Sequence, residues 1–301
     1  MPQIAMKIQC LVFALLMLPA TLIAQPSLAQ DKALFWSMSR DGERVGYLLG
    51  TIHSEDPRVL DFPEDFIALM TSNDLFAMEM VPDLPTMQRL MEYMHYQDGS
   101  TLESRIGPER FARLQSALEG YRVPADWIGR MKVWAAMMTL SVPPPETGLF
   151  MDFSLSLRAA GAGMQVVGLE TLEEQLSFLE DMPLEQQLDL LDHALEDFDR
   201  VSEVHDVMVE SYLMGDVTVL QSEAEKQMET LDPGARAYFL EQGIDVRNQR
   251  MLQALVTYLE KGSVFVAVGA LHLPGEEGLI SLLRAQGFTM EPLASPFLLP
   301  E

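Results

Sequence analysis

Val264-Phe265-Val266-Ala267-Val268-Gly269-Ala270-Leu271-His272 is the stretch from which the fold can be read. A short, continuous apolar run bounded by glycines predicts a central strand buried on both faces. Leu48-Leu49-Gly50-Thr51-Ile52-His53 echoes it, since each is an apolar strand running into Gly-x-x-His. A glycine at a strand end allows a sharp turn or the close approach of another backbone. The histidine three residues on then sits at the mouth of the sheet, where α/β proteins build their sites. One Gly-x-x-His carries little weight. Two of them, both on predicted central strands, predict that His53 and His272 converge on one site.

Working outward, Leu34 to Ser39 and Val45 to Gly50 flank Arg40-Asp41-Gly42-Glu43 and predict a β-hairpin. Asp61 to Ser72 predicts a helix, Asp74 to Met80 a buried strand, and Met151 to Ala160 a helix ended by Gly161 and Gly163. Met164 to Leu169 and Phe288 to Leu293 predict strands, and Glu276 to Gln286 a helix. Two long helical stretches intervene: Leu84 to Ser141, closed by the rigid Pro143-Pro144-Pro145, and Thr171 to Lys261, punctuated at Pro183, Gly215, Asp232-Pro233-Gly234 and Gly243. The expected class is α/β in the mixed α+β sense. A small central mixed sheet draws strands from both chain ends, and helical insertions of about 84–141 and 171–261 lie within a single domain, residues 30–301.

The 301 residues carry 45 Asp and Glu against 20 Lys and Arg, a net charge of -25, with 48% apolar residues. That balance argues against nucleic acid as a partner, because such binding needs cations to neutralise phosphates. Docking on anionic lipid is disfavoured for the same reason. Fourteen acidic residues and one basic residue, Arg200, lie between Glu170 and Glu210, so much of the excess belongs to one solvated helical block. Lys7, the apolar run Ile8 to Ala24 broken at Pro19, and the small residues Ser27 and Ala29 read as a secretory signal peptide over residues 1–29. An uncleaved anchor is the alternative. Cleavage removes Cys10, the single cysteine, and leaves an exported chain without disulfides or a stable membrane span, which fits a periplasmic or secreted protein.

Carboxylates end two further strands: Glu79 follows Leu75-Phe76-Ala77-Met78, and Glu170 follows Val166-Val167-Gly168-Leu169. Asp152 stands at a helix start just past the proline loop, where it is either a site residue or a helix cap. Two carboxylates about 4 Å apart at an effective dielectric near 20 repel by about 4 kcal/mol. Unless they face solvent, something positive sits among them or one holds a proton. Two imidazoles with one or two carboxylates make a mixed N/O donor set that suits Zn²⁺, Mn²⁺, Co²⁺ or Fe²⁺. Arg247, in a helical pattern with Asn248, either neutralises a carboxylate, stabilises an oxyanion, or lies exposed beside a neighbouring acid.

With these residues in view, Gly50-Thr51-Ile52-His53, Glu79, Gly168-Leu169-Glu170-Thr171, Arg247-Asn248 and Val268-Gly269-Ala270-Leu271-His272-Leu273-Pro274-Gly275 resemble the TraB/PrgY/GumN family, to which the animal Tiki proteases are related. The resemblance runs from about Leu34 to Leu293. It implies a fold shared with erythromycin esterase and the haem-binding ChaN proteins. For the Tiki branch it implies a metal-dependent peptidase using Mn²⁺ or Co²⁺, and TraB and PrgY members are associated with inactivating peptide pheromones. By motif position His53, Glu79 and His272 form the metal core, and Glu170, Arg247 and Asn248 match further family positions. Tiki and TraB proteins often carry a membrane segment after the domain, which is not expected here.

The expected chemistry is then a secreted metal-dependent hydrolase acting on a peptide or small molecule. Glu170 is the candidate base, Arg247 the oxyanion stabiliser, and Glu79 and Glu170 are able to exchange roles. A non-catalytic peptide or haem binder using the same histidines is the alternative. A structural export component with a decayed site is a third. There is no His-Glu-x-x-His, Gly-x-Ser-x-Gly or phosphate-binding loop to support a rival hydrolase. His193 and Asp197, with His205 further on, read as a second metal site or as a solvated acidic helix. Met131, Met137 and Met138 near Trp127 and Trp134 read as a peptide groove or as core on one amphipathic helix. His95 has no evident partner.

Overall fold

Six segments pair into one sheet: β1 (Phe35–Arg40), β2 (Glu43–Thr51), β3 (Leu75–Met78), β4 (Gln165–Gly168), β5 (Val264–Gly269) and β6 (Thr289–Leu293). The structure is a computed structural model in which residues 31–297 are described. The signal peptide expected over residues 1–29 lies outside them. The strand order is β4-β3-β5-β2-β1-β6. β5 runs parallel to both β2 and β3, β4 runs parallel to β3, and β1 is antiparallel to β2 and β6. The sheet is thus mixed, as the sequence predicts, with both chain ends and the segment between the helical blocks contributing strands.

The continuous apolar run of β5 follows from its place. Phe265 and Ala267 face one core with Phe35, Tyr47, Leu49, Phe66 and Phe76, covered by helices Glu64–Thr71, Met151–Gly161 and Val201–Leu213. Val264, Val266 and Val268 face a second core with Trp36, Leu48, Leu252 and Leu283, covered by helices Val246–Leu259 and Leu279–Ala285. A third core, around Leu114, Trp134 and Leu191, joins the two helical insertions to each other. The β1–β2 hairpin turns through Asp41 at φ 54° and Gly42 at φ 82°, the left-handed pair that an Asp-Gly turn supplies. Among the described residues no helix is long and apolar enough to cross a membrane.

Several boundaries differ from expectation, and three of the differences have a visible physical cause. β3 begins at Leu75, not Asp74, because the Asp74 carboxylate accepts from the Ser263 N–H and hydroxyl at 2.8 Å and ties the strand entrance to the β5 entrance. Gly243 does not break its helix; Glu241–Asp245 form a wide π turn that runs straight into Val246–Leu259. Such turns are frequent at functional sites. The helix expected from Glu276 starts at Leu279, because the chain doubles back so tightly that a β-carbon on Gly278 would stand 2.1 Å from the Pro274 carbonyl oxygen.

Candidate functional site

β2 and β5 end side by side, with Thr51 paired to Gly269, so the two Gly-x-x-His turns leave the sheet at the same edge. A β-carbon on Gly50 would lie 2.9 Å from Ala270 Cα, inside the second motif. One on Gly269 would lie 3.2 Å from Glu79 Oε1. Neither glycine has a positive φ, so both are there for close approach and not for a turn. Gly50→Ala is expected to destabilise the chain by about 1–3 kcal/mol through overpacking, seen as a lower urea midpoint at unchanged slope. Behind this turn the buried Tyr212 hydroxyl donates to the Gly50 carbonyl at 2.8 Å.

Glu79 and Glu170 each stand just beyond the end of a strand, β3 and β4, and are tied together by the Glu170 N–H donating to the Glu79 carbonyl at 2.8 Å. Arg247 is the positive group between them. Its Nη2 donates to Glu79 Oε2 and Glu170 Oε2, both at 2.7 Å, its Nε to Glu170 Oε2 at 2.9 Å, and its Nη1 to the Gly243 carbonyl of the π turn at 3.4 Å. The Glu170 side chain is wholly enclosed and only 8% of the Arg247 side chain is exposed. Burial pushes the Glu170 carboxyl up despite Arg247. Glu79 moves the other way: burial opposes its charge, but the neighbouring His272 and Arg247 and the Gly269 N–H, donating to Oε1 at 2.7 Å, bring it down to about 2. This exposed-arginine alternative is thereby excluded for Arg247, and neither Arg247 nor Glu170 lines the open cavity described below.

His272 is buried, with Nδ1 2.7 Å from Asn248 Oδ1. The Asn248 amide N–H donates to the Glu277 carbonyl at 2.8 Å, which fixes the amide orientation and makes Oδ1 an acceptor. The proton of neutral His272 therefore sits on Nδ1. Its Nε2 lone pair faces Glu79 Oε1 at 3.8 Å, acceptor against acceptor. Burial pushes His272 down from the ordinary 6.5 to about 4, against the pull of Glu79. An unfolded chain accepts this proton near 6.5 and the folded one only near 4, so stability is complete above 6.5 and falls as pH drops through that window. The fall is of order 3 kcal/mol, and urea unfolding at pH 7 and pH 4.5 with chelator present should show it shrinking in His272→Gln.

His53 is more than half exposed, its ring stacked on Phe150 at 3.7 Å between centroids and its Nδ1 3.5 Å from Asp152 Oδ2, and it lines a cavity that His272 does not line. Asp152 does not cap its helix: the N-cap is Phe150, with no side-chain cap bond. Phe150 is placed by Glu55, whose carboxylate accepts from the N–H groups of Glu146, Thr147 and Leu149 at 2.7–3.0 Å and so holds the segment after the triple proline. A cavity of about 610 Å³ opens between these elements, lined by His53, Glu79, Asp152 and Gln175 with apolar walls from Met78, Met80, Met87 and Leu90. Gln175 donates to Glu79 Oε2 at 3.0 Å. Sequence reasoning missed Gln175, Glu55 and Phe150. Glu55 lies two residues past His53, and Gln175 one residue past the Thr171–Glu174 capping box, but neither position marks a partner.

Among the described residues no three His, Cys, Asp or Glu side chains stand close enough together to hold a metal ion. The donors nonetheless have the chemistry of such a site. Both motif histidines turn Nδ1 towards an oxygen, Asn248 Oδ1 or Asp152 Oδ2, and leave Nε2 without a protein hydrogen bond, the arrangement usual for imidazoles that bind metals through Nε2. His193 Nε2 lies 3.3 Å from Asp197 and contacts Thr230, while His205 lines another cavity, walled by the three prolines, that His53 and Phe150 also border, so His193 and His205 do not form one centre. His95 packs edge-on against Trp127. Trp134, Met131 and Met137 are core, whereas Trp127 and Met138 are exposed, and Trp127 and Trp134 sit on separate helices, not on one.

A model of the TraB/PrgY/gumN family matches residues 34–292. Metalloprotease TIKI1 of Danio rerio is 24% identical, over 86% of this chain and 63% of its own. The Metalloprotease TIKI homolog of Nematostella vectensis is 23% identical, over 81% and 64%. Shigella flexneri YbaP, an uncharacterized protein, is 23% identical over 81% of this chain and 89% of its own. The chain spans just under two thirds of the length of these two Tiki relatives. No solved structure matches it, and the likeness to erythromycin esterase and ChaN rests on the motif resemblance alone. With a match that covers β1 to β5, all but the last residue of β6, and both Gly-x-x-His turns, the chain belongs to the TraB/PrgY/gumN family.

Proposed function

We propose that the chain is a metal-dependent hydrolase that cleaves peptides at the edge of the sheet where β2 and β5 end. The observation that carries this reading is the shared state of the two motif histidines. Each has Nδ1 turned to an oxygen and Nε2 free, and Glu79 lies on the wall of the same cavity as His53. The metalloprotease names of the Tiki relatives support the reaction class. By motif position His53, His272 and Glu79 are the donors, which would have to draw closer together to hold the ion, Mn²⁺ or Co²⁺ by resemblance and Zn²⁺ or Fe²⁺ by donor type. When bound, it would polarise the scissile carbonyl and acidify a water.

The chain's own groups then have distinct tasks. Arg247 keeps Glu79 ionised, and Glu170 holds Arg247 in place, so both are positioning residues, and the base role first read for Glu170 passes to a carboxylate on the cavity wall. Asp152 is that group, able to take the proton of the attacking water. Asn248 fixes the His272 tautomer. Asp152→Asn is expected to lower kcat by about 10²–10⁴-fold, read as initial rates on a cleaved peptide, with metal content unchanged. Export through residues 1–29 belongs to the same reading and would place the enzyme in a periplasm or outside the cell.

Metal analysis of the purified protein, followed by incubation with a peptide library with and without chelator, tests the proposal. Chelator-sensitive cleavage is expected. A His53→Ala/His272→Ala double variant with the same metal content and identical products would overturn it. A haem Soret band lost in that variant, without any cleavage, would instead support the binder.

A further inference from the structure

Past the triple proline the chain runs from Glu146 to Phe150 without a helix or strand, so its backbone N–H groups have no ladder to join. One side chain takes up three of them. Glu55 Oε2 accepts from the Glu146 N–H at 2.7 Å, and Oε1 accepts from the Thr147 N–H at 3.0 Å, the Thr147 hydroxyl at 2.7 Å and the Leu149 N–H at 3.0 Å. Backbone N–H groups gathered in this way around an anion form a concave nest, and Gly148 at φ 76° makes its left-handed corner. Immediately beyond, the Met151 N–H donates to the carbonyl of the fully buried Ser54 at 3.1 Å. The two residues that follow His53 thus hold the chain on either side of Phe150.

Both groups that touch the His53 ring ride on this held segment. Phe150 stacks on the ring at 3.7 Å between centroids and 22° between planes, and Asp152 Oδ2 lies 3.5 Å from Nδ1. Among the described residues no other polar or aromatic contact fixes the ring, which is more than half exposed. We propose that Glu55 is a positioning residue, which holds His53 in one orientation through Phe150 and Asp152, with Nδ1 turned to the carboxylate and Nε2 free for a ligand. The inference rests on the hydrolase reading only for what Nε2 then meets. A ring ordered beforehand loses no rotamer freedom in the binding step, an effect of about 3–10-fold in affinity for one side chain. The carboxylate itself is required: a glutamine would keep one acceptor oxygen and turn its NH₂ towards backbone N–H groups on the other side, donor against donor.

The ring itself reports the outcome. Histidine Cε1–H resonances of the metal-free full chain, labelled with ¹³C at histidine, are recorded at about pH 8.5, above the ordinary histidine range, and the His53 signal is assigned by its loss in His53→Gln. The face of Phe150 should hold that signal upfield, and Phe150→Leu should move it downfield. Glu55→Gln, which leaves Phe150 in the chain, should move it the same way, and Thr147→Val, which removes one of the four bonds, part of the way. The Glu55→Gln/Phe150→Leu double variant should move it no further than Phe150→Leu alone, because the two changes act through one contact. Mn²⁺ affinity by calorimetry should fall about 3–10-fold in Glu55→Gln. All signals are read below the thermal transition of each variant. A Glu55→Gln chain that melts lower but keeps the wild-type His53 signal would overturn the proposal, since Glu55 would then only fasten the loop. No movement in Phe150→Leu, or a displaced signal with Mn²⁺ affinity kept within twofold, would overturn it as well. If the wild type takes up no Mn²⁺ and cleaves no peptide, the hydrolase reading falls and the resonance alone decides: a signal displaced in Glu55→Gln supports the positioning role, and an unmoved one removes it.

Discussion

Replacing Arg247 with methionine is expected to cost about 3–5 kcal/mol of folding stability, because it leaves the enclosed Glu170 carboxylate facing Glu79 with no countercharge. The enclosed Glu170 side chain and the ionised Glu79 share this one guanidinium. Coupling the change to Glu170→Leu should restore most of the loss, since an apolar replacement of a buried ion pair is often neutral or better. The double variant is nevertheless expected to lose the proposed activity, because Glu79 has lost one of the groups that hold its charge. The deficit of the single variant should shrink as pH falls: Glu170, already pushed up by burial, takes a proton and ceases to need a partner. Urea unfolding of the three chains at pH 5 and pH 7.5 reads each of these. A single-variant loss below about 1 kcal/mol, the range of a surface pair, would mean that the cluster is not held together by this ion network.

Glu79→Gln should leave the fold intact and reduce chelator-sensitive peptide hydrolysis by about 10³-fold or more, the scale on which a charge that acts on the reacting atoms is felt. The amide keeps the size of the side chain but presents no anion to a cation. Its NH₂ also cannot accept from all of Arg247, Gln175 and the Gly269 N–H as the carboxylate does. Mn²⁺ affinity by calorimetry should fall together with the rate. Retention of both within threefold would move the reacting centre away from Glu79 and onto the His53–Asp152 side of the cavity.

Much of this site was legible from local pattern. The apolar run before each Gly-x-x-His names β2 and β5, Asp-Gly names the hairpin, and the carboxylates after two apolar runs mark strand ends. All of these depend on neighbours within a few residues, where the period of side chains and the conformational needs of turns are written directly. The positive group that two strand-end carboxylates demand was also foreseeable as a requirement, and Arg247 was one of its candidates. What local pattern did not reach was which carboxylate meets the cavity. Glu79 and Glu170 have the same signature, yet the Arg247 fork closes around Glu170 and leaves Glu79 on the wall. Glu170 is therefore proposed to position Arg247, with the base taken from the cavity wall.

The sequence by itself thus determined the strands, the burial of β5 on both faces and the residue types that end those strands, because burial on two faces leaves only one kind of residue in β5. Only the tertiary structure decided the pairings among them. Arg247 reaches Glu79 across 168 positions, Gln175 reaches it across 96, and the Gly269 N–H across 190. Those contacts depend on strand order and on a helix entered through a π turn, and no periodicity in the chain encodes either. The two glycines make the same point. Their presence was plain from the sequence, but whether they served a turn or a close approach was settled by what stands within 3.2 Å of each: Ala270 for Gly50 and Glu79 for Gly269.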